Sequence, residues 1–150
     1  MNLAIATLLT MLLAGSSDQS ISESSIPVNG DLVISINNLK NTKGQIGILV
    51  FNKKEGFPSE NAEALREILA PISSSTMDYT FSGLPYGEYA ISIMHDENMN
   101  QRLDKNFLGI PKEGFGVSNN VVGKMGPPKF EKAVFQFQKN NQSVRIKIRY

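Results

Sequence analysis

The sequence predicts an all-β fold: an antiparallel β-sandwich of the immunoglobulin or prealbumin-like kind, with six to eight strands, one short helix and a long structured loop. Two observations lead to this prediction. Several segments alternate apolar and polar residues with a period of two, which is typical of strands with one buried face. The chain has 150 residues, of which 41% are hydrophobic. That is enough for one hydrophobic core and too little for two comfortable domains.

The alternation is clear in five segments. The residues predicted to face the core are Leu32, Ile34 and Ile36 in LVISIN, Met77, Tyr79 and Phe81 in MDYTFSG, Tyr89, Ile91 and Ile93 in EYAISIMH, Phe135 and Phe137 in AVFQFQ, and Val144, Ile146 and Ile148 in VRIKIRY. The segment QIGILVF is apolar almost throughout, which indicates a central strand buried on both faces. VRIKIRY turns basic residues outward, which suits a strand at a sheet edge.

Two segments between the predicted strands have other patterns. SENAEALREILA, residues 59–70, spaces Ala62, Leu65 and Leu69 at helical intervals and is followed by Pro71, so we predict a short amphipathic helix there. FSGLPYGEYAI, residues 81–91, places a turn between two strands. It resembles the LPxGxY unit of secreted prealbumin-like sandwich modules, and this resemblance concerns the fold alone.

The N-terminal residues predict export. Residues 3–14 form an apolar run of 12 residues, too short to span a membrane, and small residues follow it. This pattern is typical of a secretory signal peptide. Position 16 is Ser16 rather than Cys, so lipid attachment has no acceptor. We predict a signal peptide at 1–17, a Ser-rich tether at 18–30, a domain at 31–150, and a periplasmic or extracellular location.

The composition excludes several classes of function. Lys and Arg number 15 against 14 Asp and Glu, for a net charge of +1, so the whole chain has no electrostatic footprint for nucleic acid or an anionic membrane. Cys is absent, which excludes disulfides, thiolate metal sites and cysteine nucleophiles. We predict a monomer with no membrane-spanning segment after signal removal.

The segment 95–131 is unusual because it is long, rich in Gly and Pro, and without a clear strand pattern. Loops of this length are usually functional or disordered. We predict an ordered loop, with five apolar residues that would pack onto the end of the sandwich: Phe107, Leu108, Ile110, Phe115 and Phe130.

The start of this loop has the spacing of a calcium-binding loop, D-x-N-x-N-x-x-x-D. Side-chain oxygens at the first, third and fifth positions converge on an ion, the seventh gives a backbone carbonyl, and the ninth contributes directly or through water. Glu113 is the nearest carboxylate that could complete the shell. The candidate calcium ligands are therefore Asp96, Asn98, Asn100, the Arg102 carbonyl, Asp104 and Glu113. Zinc does not fit, because the chain has no Cys and one His.

A cluster of Asx turns without an ion is the alternative. Asp and Asn side chains can satisfy the backbone amides of a loop by themselves. The sixth and twelfth positions of a calcium loop are usually Gly and Glu, and here they are Gln101 and Phe107. Both interpretations stay open from the sequence, and calcium is the one cofactor that the sequence suggests.

Catalysis is a further alternative. His95 is the only His, lies beside Asp96, and could act as the base of a small secreted hydrolase with Ser118 as nucleophile. GVSNN is not a nucleophile elbow, and His95 continues an inward-facing strand series, so we predict a structural role for it. The predicted function is a non-enzymatic module that binds an unidentified protein or small molecule through the 95–131 loop. EGFGVSNN, at 113–120, is the predicted contact surface.

These residues also carry a family resemblance. The pattern H-D-x-N-x-N-x-x-L-D-x-N-x-x-G-x-P-x-E-G-x-G-x-S-N-N, from His95 to Asn120, closely resembles an exported bacterial family, domain of unknown function 2141. The likeness covers residues 31–150. Family members often carry Gly-Lys where this chain has Gln101 and Arg102. The resemblance implies export and a β-sandwich, and it implies no established activity or catalytic residue.

Overall fold

In a computed structural model, residues 28–124 and 126–150 are described. The predicted signal peptide and most of the predicted tether lie outside these residues. The strands are β1 (Asn29–Asn37), β2 (Gln45–Phe51), β3 (Arg66–Pro71), β4 (Met77–Pro85), β5 (Gly87–Asp96), β6 (Gly114–Val117), β7 (Phe135–Phe137) and β8 (Gln142–Lys147). A four-residue helix, α1, spans Phe130–Ala133, and two short 3-10 helices span Asn61–Glu63 and Ser118–Asn120.

The smaller sheet has three strands in the order β4-β1-β8. β1 pairs with β4 in antiparallel fashion, with Ile34 opposite Tyr79. It pairs with β8 in parallel fashion, with Ile34 opposite Val144. The first and last strands therefore lie side by side, and this parallel pair is a departure from the all-antiparallel arrangement that we predicted.

The larger sheet has five strands. Its main path is β3-β2-β5-β6, and β7 pairs with the first residues of β5. All of its pairs are antiparallel. β2 lies between β3 and β5, and its residues Ile46–Phe51 are buried, as expected of a central strand covered on both faces. An isolated bridge between Phe115 and Arg149 links this sheet to the other one beyond the end of β8.

One hydrophobic core fills the space between the sheets, which confirms the predicted β-sandwich. Its largest fully buried side chains are Phe51, Phe137, Leu32, Ile34, Ile36, Ile46, Ile48, Leu84, Ile91, Ile93, Ile146 and Ile148. The predicted alternation is confirmed for these strands, although Met77, Tyr79, Phe135 and Val144 are only partly buried. Such dense burial of branched aliphatic residues gives a rigid scaffold for the loops at its ends.

The predicted helix at 59–70 is wrong. The segment contains the 3-10 helix at 61–63 and then enters β3. β3 pairs with β2, and Ile68 stands opposite Ile48. Ile68 packs against the core while Leu69 is exposed, which is the period of a strand. The backbone groups along the edge of β2 need partners, and this requirement overrides the helical spacing of the apolar residues.

The predicted 95–131 loop is also shorter than expected, because it contains β6 and the 3-10 helix at 118–120. β6 itself contains Gly114 and Gly116, and these two glycines hid the strand pattern. A Cβ on Gly116 would lie 2.9 Å from the Ile146 side chain and from the Lys147 carbonyl. These glycines thus allow the close approach of β6 to β8.

β8 lies at the edge of its sheet, as the sequence predicts. The side chain of Asn120 covers part of this edge. Its Nδ2 donates to the Arg145 carbonyl at 3.2 Å, and its Oδ1 accepts from the Lys147 amide at 2.8 Å. One side-chain amide thereby replaces a neighbouring strand and blunts an edge that could pair with another chain. No helix among the described residues is long and apolar enough to cross a membrane.

Candidate functional site

The site lies at one end of the sandwich, between two neighbouring strands. β5 and β6 are antiparallel partners, and His95 pairs with Gly114. Residues 97–113 connect them. We call residues 96–104 the Asx loop and residues 104–112 the apolar hairpin. Both lie on a connection whose two ends are fixed in the same sheet, so the scaffold holds the base of the site firmly.

Asp96 fixes the start of the Asx loop. Its carboxylate is fully buried at the end of β5. Oδ1 accepts from the Asn100 amide at 3.1 Å, and Oδ2 accepts from the Gln101 amide at 2.9 Å and from Nε2 of Gln45 at 2.8 Å. Hydrogen bonds to a carboxylate are stronger than neutral ones. One buried carboxylate therefore turns the chain and ties it to β2.

The side-chain amides of Asn98 and Asn100 converge on Asp104. Nδ2 of Asn98 donates to Asp104 Oδ2 at 2.6 Å, and Nδ2 of Asn100 donates to Asp104 Oδ1 at 3.1 Å. The Asn98 oxygen accepts from the Asn100 backbone amide, and the Asn100 oxygen accepts from the Arg102 amide. The structure thus brings together four of the predicted ligands, and it joins them by hydrogen bonds to one another and to the loop backbone.

Glu113 connects the two ends of the Asx loop. The side chain is 5% exposed. Oε1 accepts from the Glu97 amide and Oε2 from the Asp104 amide, both at 3.0 Å. The sequence suggested Glu113 as a distant ion ligand, but its role as a bridge between residues 97 and 104 was missed. No local pattern in the sequence signals this bridge, because it depends on the return of the chain into β6.

Two residues of the Asx loop have a backbone conformation that L side chains rarely adopt. Met99 and Gln101 both have φ of 62°. Gln101 stands at the position where a calcium loop has Gly. The left-handed conformation at a non-Gly residue costs roughly 1–2 kcal/mol. The hydrogen bonds to Asp96 and Asn98 offset this strain.

His95 is part of the supporting structure. It is fully buried at the end of β5, as predicted from its place in the inward series. Nε2 lies 2.8 Å from the Lys43 carbonyl oxygen, and Nδ1 lies 2.6 Å from the Tyr150 hydroxyl. A carbonyl can only accept, so Nε2 carries the proton, and Nδ1 accepts from Tyr150. The Tyr150 hydroxyl also accepts from the Lys40 amide at 2.9 Å.

Ser118 is not beside His95. It is fully buried; its Oγ accepts from the Ile91 amide at 2.9 Å and donates to the Ala133 carbonyl at 2.6 Å. Ile91 and His95 are four residues apart on β5, or about 13 Å along an extended strand. The pair therefore does not form the nucleophile and base of a hydrolase. Ser118 instead anchors α1 to β5.

The prediction that EGFGVSNN is an exposed contact surface is wrong. Glu113, Gly114, Gly116, Val117 and Ser118 are buried. Asn119 and Asn120 are exposed, but their side chains bond to backbone carbonyls. The residues of this segment pack β6 closely against β8 and do not form an exposed surface.

The apolar hairpin has its hydrophobic side chains turned toward solvent. Phe107 is 94% exposed, Leu108 68% and Ile110 55%. The prediction that these three pack onto the sandwich is wrong, whereas Phe115 and Phe130 are partly buried as expected.

The hairpin itself is well ordered by hydrogen bonds. The Asn106 amide donates to the Ile110 carbonyl at 2.8 Å, and the Lys112 amide donates to the Asp104 carbonyl at 2.8 Å. Oδ1 of Asn106 accepts from the amides of Leu108 and Ile110. Gly109, with φ of 78°, completes the turn. The result is a preformed projection that holds its apolar tip away from the core.

The fold and the site define a small β-sandwich module whose β5–β6 connection carries a self-bonded Asx loop and an exposed apolar hairpin. The chain belongs to the bacterial family described as "uncharacterized protein conserved in bacteria (DUF2141)", whose profile matches residues 34–145. This range includes the entire site and confirms the resemblance found in the sequence. Comparison with curated proteins and with solved structures gives no match.

Tyr150→Phe tests the role of His95. The variant leaves the buried Nδ1 of His95 without its donor, so we expect a loss of about 1–3 kcal/mol in the free energy of unfolding. Chemical denaturation measures it, with Tyr79→Phe on β4 as the control. A loss no larger than that of the control would contradict the assigned role of Tyr150.

The same variant has a pH signature. Burial raises the pKa of Tyr150 above its ordinary value of 10.0, and Glu97 raises it further, while the hydrogen bond from Lys40 lowers it. The unfolded chain ionises first as the pH rises, so the stabilising contribution of Tyr150 is complete below pH 10 and is lost above it. The wild type should therefore lose stability more steeply than Tyr150→Phe above this pH.

Proposed function

We propose that the protein is an exported, non-enzymatic module that binds a partner through the apolar hairpin. The observation that carries this proposal is the exposure of Phe107, Leu108 and Ile110 on a hydrogen-bonded projection. Keeping three neighbouring apolar side chains in water has an energetic cost, and contiguous exposed apolar residues commonly mark interaction sites. The apolar run at residues 3–14 supports export.

The preorganisation of the hairpin supports the same function. A flexible loop would lose conformational entropy on binding, and a rigid one avoids that cost. Asp104 and Glu113 belong to the Asx loop network and also flank the hairpin, so the network fixes its base. In this proposal the role of the Asx loop is to position the hairpin on the scaffold.

A hydrolase that uses His95 as base has less support. Both ring nitrogens of His95 are engaged, one with a backbone carbonyl and one with Tyr150. A general base needs a free nitrogen within hydrogen-bond reach of its substrate. The side chain is also fully buried.

Calcium is the second candidate for the Asx loop. Every side-chain oxygen of Asp96, Asn98, Asn100, Asp104 and Glu113 accepts a hydrogen bond. The two Asn amides present hydrogens to Asp104, and a cation there would require them to rotate. Across residues 28–124 and 126–150, no three acidic or His side chains group closely enough to hold a metal. This arrangement favours the metal-free cluster.

Thermal melting in chelator and in millimolar calcium tests this choice. We expect the same melting temperature in both, because the loop satisfies its own polar groups. A calcium site at a hundredfold excess over Kd would stabilise the fold by about 2.7 kcal/mol and raise the melting temperature by roughly 5 °C or more. Such a rise in the wild type, lost in Asp96→Ala and Asp104→Ala, would replace the metal-free cluster by a calcium site.

Photocrosslinking tests the contact surface. Benzoylphenylalanine in place of Phe107 should give adducts, to protein or to lipid, when the full chain is irradiated in its native bacterium. The control places the same residue at Thr80, on the exposed face of β4. Adducts at position 107 that are absent at position 80 would support the hairpin as the contact surface, whereas equal yields at both positions would refute it.

A further inference from the structure

We propose that the partner of the apolar hairpin is the surface of an anionic lipid bilayer. This inference rests on the proposed function and names the chemistry of the partner. The tip presents Phe107, which is 94% exposed, together with Leu108 and Ile110. Aromatic and aliphatic side chains of this kind partition into the boundary between headgroups and acyl chains.

The shape of the tip favours a bilayer over a protein pocket. The apolar side chains belong to a tight turn closed by Asn106 and Gly109, and all three are exposed. Phe107 and Leu108 are neighbours in the chain and both point into solvent, so the tip has no single apolar face. A protein partner would need a cavity that encloses the whole tip. A bilayer surrounds it without a matching shape.

The charges around the tip favour an anionic surface. Arg102, Lys105 and Lys112 are exposed, and the last two flank the hairpin on its two strands. The acidic residues of the connection lie at the base of the hairpin or outside it: Asp104 is its first residue, and Asp96, Glu97 and Glu113 lie outside it. Basic residues next to a membrane surface strengthen binding to anionic lipids. Residues 104–112 contain two lysines and one aspartate, so the hairpin itself carries a net charge of +1.

The absence of Trp from the chain permits a local measurement. Phe107→Trp in the full-length protein places a single fluorophore at the tip, so the signal does not depend on the N-terminal apolar run. Vesicles of equal parts phosphatidylcholine and phosphatidylglycerol should shift its emission to the blue, and brominated acyl chains should quench it. The control is Thr80→Trp on β4, which should show neither change.

Charge reversal tests the anionic preference. Lys105→Glu combined with Lys112→Glu in the Phe107→Trp background should require roughly tenfold more lipid, or more, for half of the spectral change. Both lysines are exposed, so the fold should survive, and the melting temperature verifies this. An equal response to phosphatidylcholine alone, or an unchanged lipid requirement in the charge-reversed variant, would overturn the anionic preference.

The failures of the two proposals are distinguishable. If Phe107→Trp does not respond to anionic vesicles while position 107 crosslinks to protein, the bilayer inference is wrong and the hairpin remains a contact surface for a protein. If neither vesicles nor crosslinking gives a signal specific to position 107, both proposals are wrong.

Discussion

Asp96→Ala should lower the free energy of unfolding by roughly 3 kcal/mol, and the melting temperature by about 10 °C. The carboxylate is fully buried and accepts from two loop amides and from Gln45. Its removal leaves these donors without their acceptor, and a buried donor left unpaired costs about 1–3 kcal/mol. Chemical denaturation of the variant and the wild type measures the loss.

Two further variants make this experiment specific. Asp78→Ala removes an exposed carboxylate from β4 and should change stability by less than about 0.5 kcal/mol. Asp96→Asn keeps one of the two carboxylate oxygens and replaces the second by an NH₂ group, which cannot accept from the donors there. Its free energy of unfolding should therefore lie between those of the wild type and Asp96→Ala. If Asp96→Ala behaves like Asp78→Ala, the carboxylate does not hold the Asx loop.

Gly44→Ala should destabilise the protein at least as much as Asp96→Ala. We expect its free energy of unfolding to fall by roughly 4 kcal/mol or more, or the variant not to fold. Gly44 has φ of 70°, and a Cβ there would lie 2.0 Å from the Asp96 carbonyl oxygen and 2.7 Å from Cα of Glu97. Both neighbours are backbone atoms, which cannot move aside without displacing the start of the Asx loop. The turn before β2 therefore needs Gly both for its conformation and for this close approach.

The matched control is Gly83→Ala. Gly83 also has a positive φ, of 65°, but its Cβ would meet nothing within 4 Å. In this variant the free energy of unfolding should fall by about 1–2 kcal/mol, which is the cost of the left-handed conformation alone. The difference between the two variants isolates the steric contact with Asp96. Equal losses would show that backbone conformation alone explains the requirement for Gly44.

The core strands could be predicted from the sequence because burial on one face imposes a period of two. Ile34, Ile91 and Ile146 were placed correctly for this reason. β3 was missed because its apolar spacing also fits a helix, and only pairing with β2 decides between the two. The parallel pairing of β1 with β8 depends on contacts between the two ends of the domain, which local patterns do not encode.

The sequence indicated which residues form the Asx loop, and it indicated less well how these residues bond to one another. The spacing from Asp96 to Asp104 correctly indicated a folded loop of converging side chains. The bridge from Glu113 was not predictable, because it depends on the return of the chain into β6. The three apolar tip residues were assigned to the core on the assumption that hydrophobic side chains are buried, an assumption that fails at interaction surfaces.

Amide hydrogen exchange in the presence of chelator tests the central claim, that the Asx loop holds itself together and thereby fixes the base of the hairpin. The backbone amides of Glu97, Gln101 and Asp104 donate to buried carboxylates. We expect all three to exchange much more slowly than in an unstructured peptide, without calcium. In Glu113→Ala, the amides of Glu97 and Asp104 should lose protection while those of β2 keep it. Fast exchange of the three amides in the wild type, with protection that appears only when calcium is added, would contradict the account.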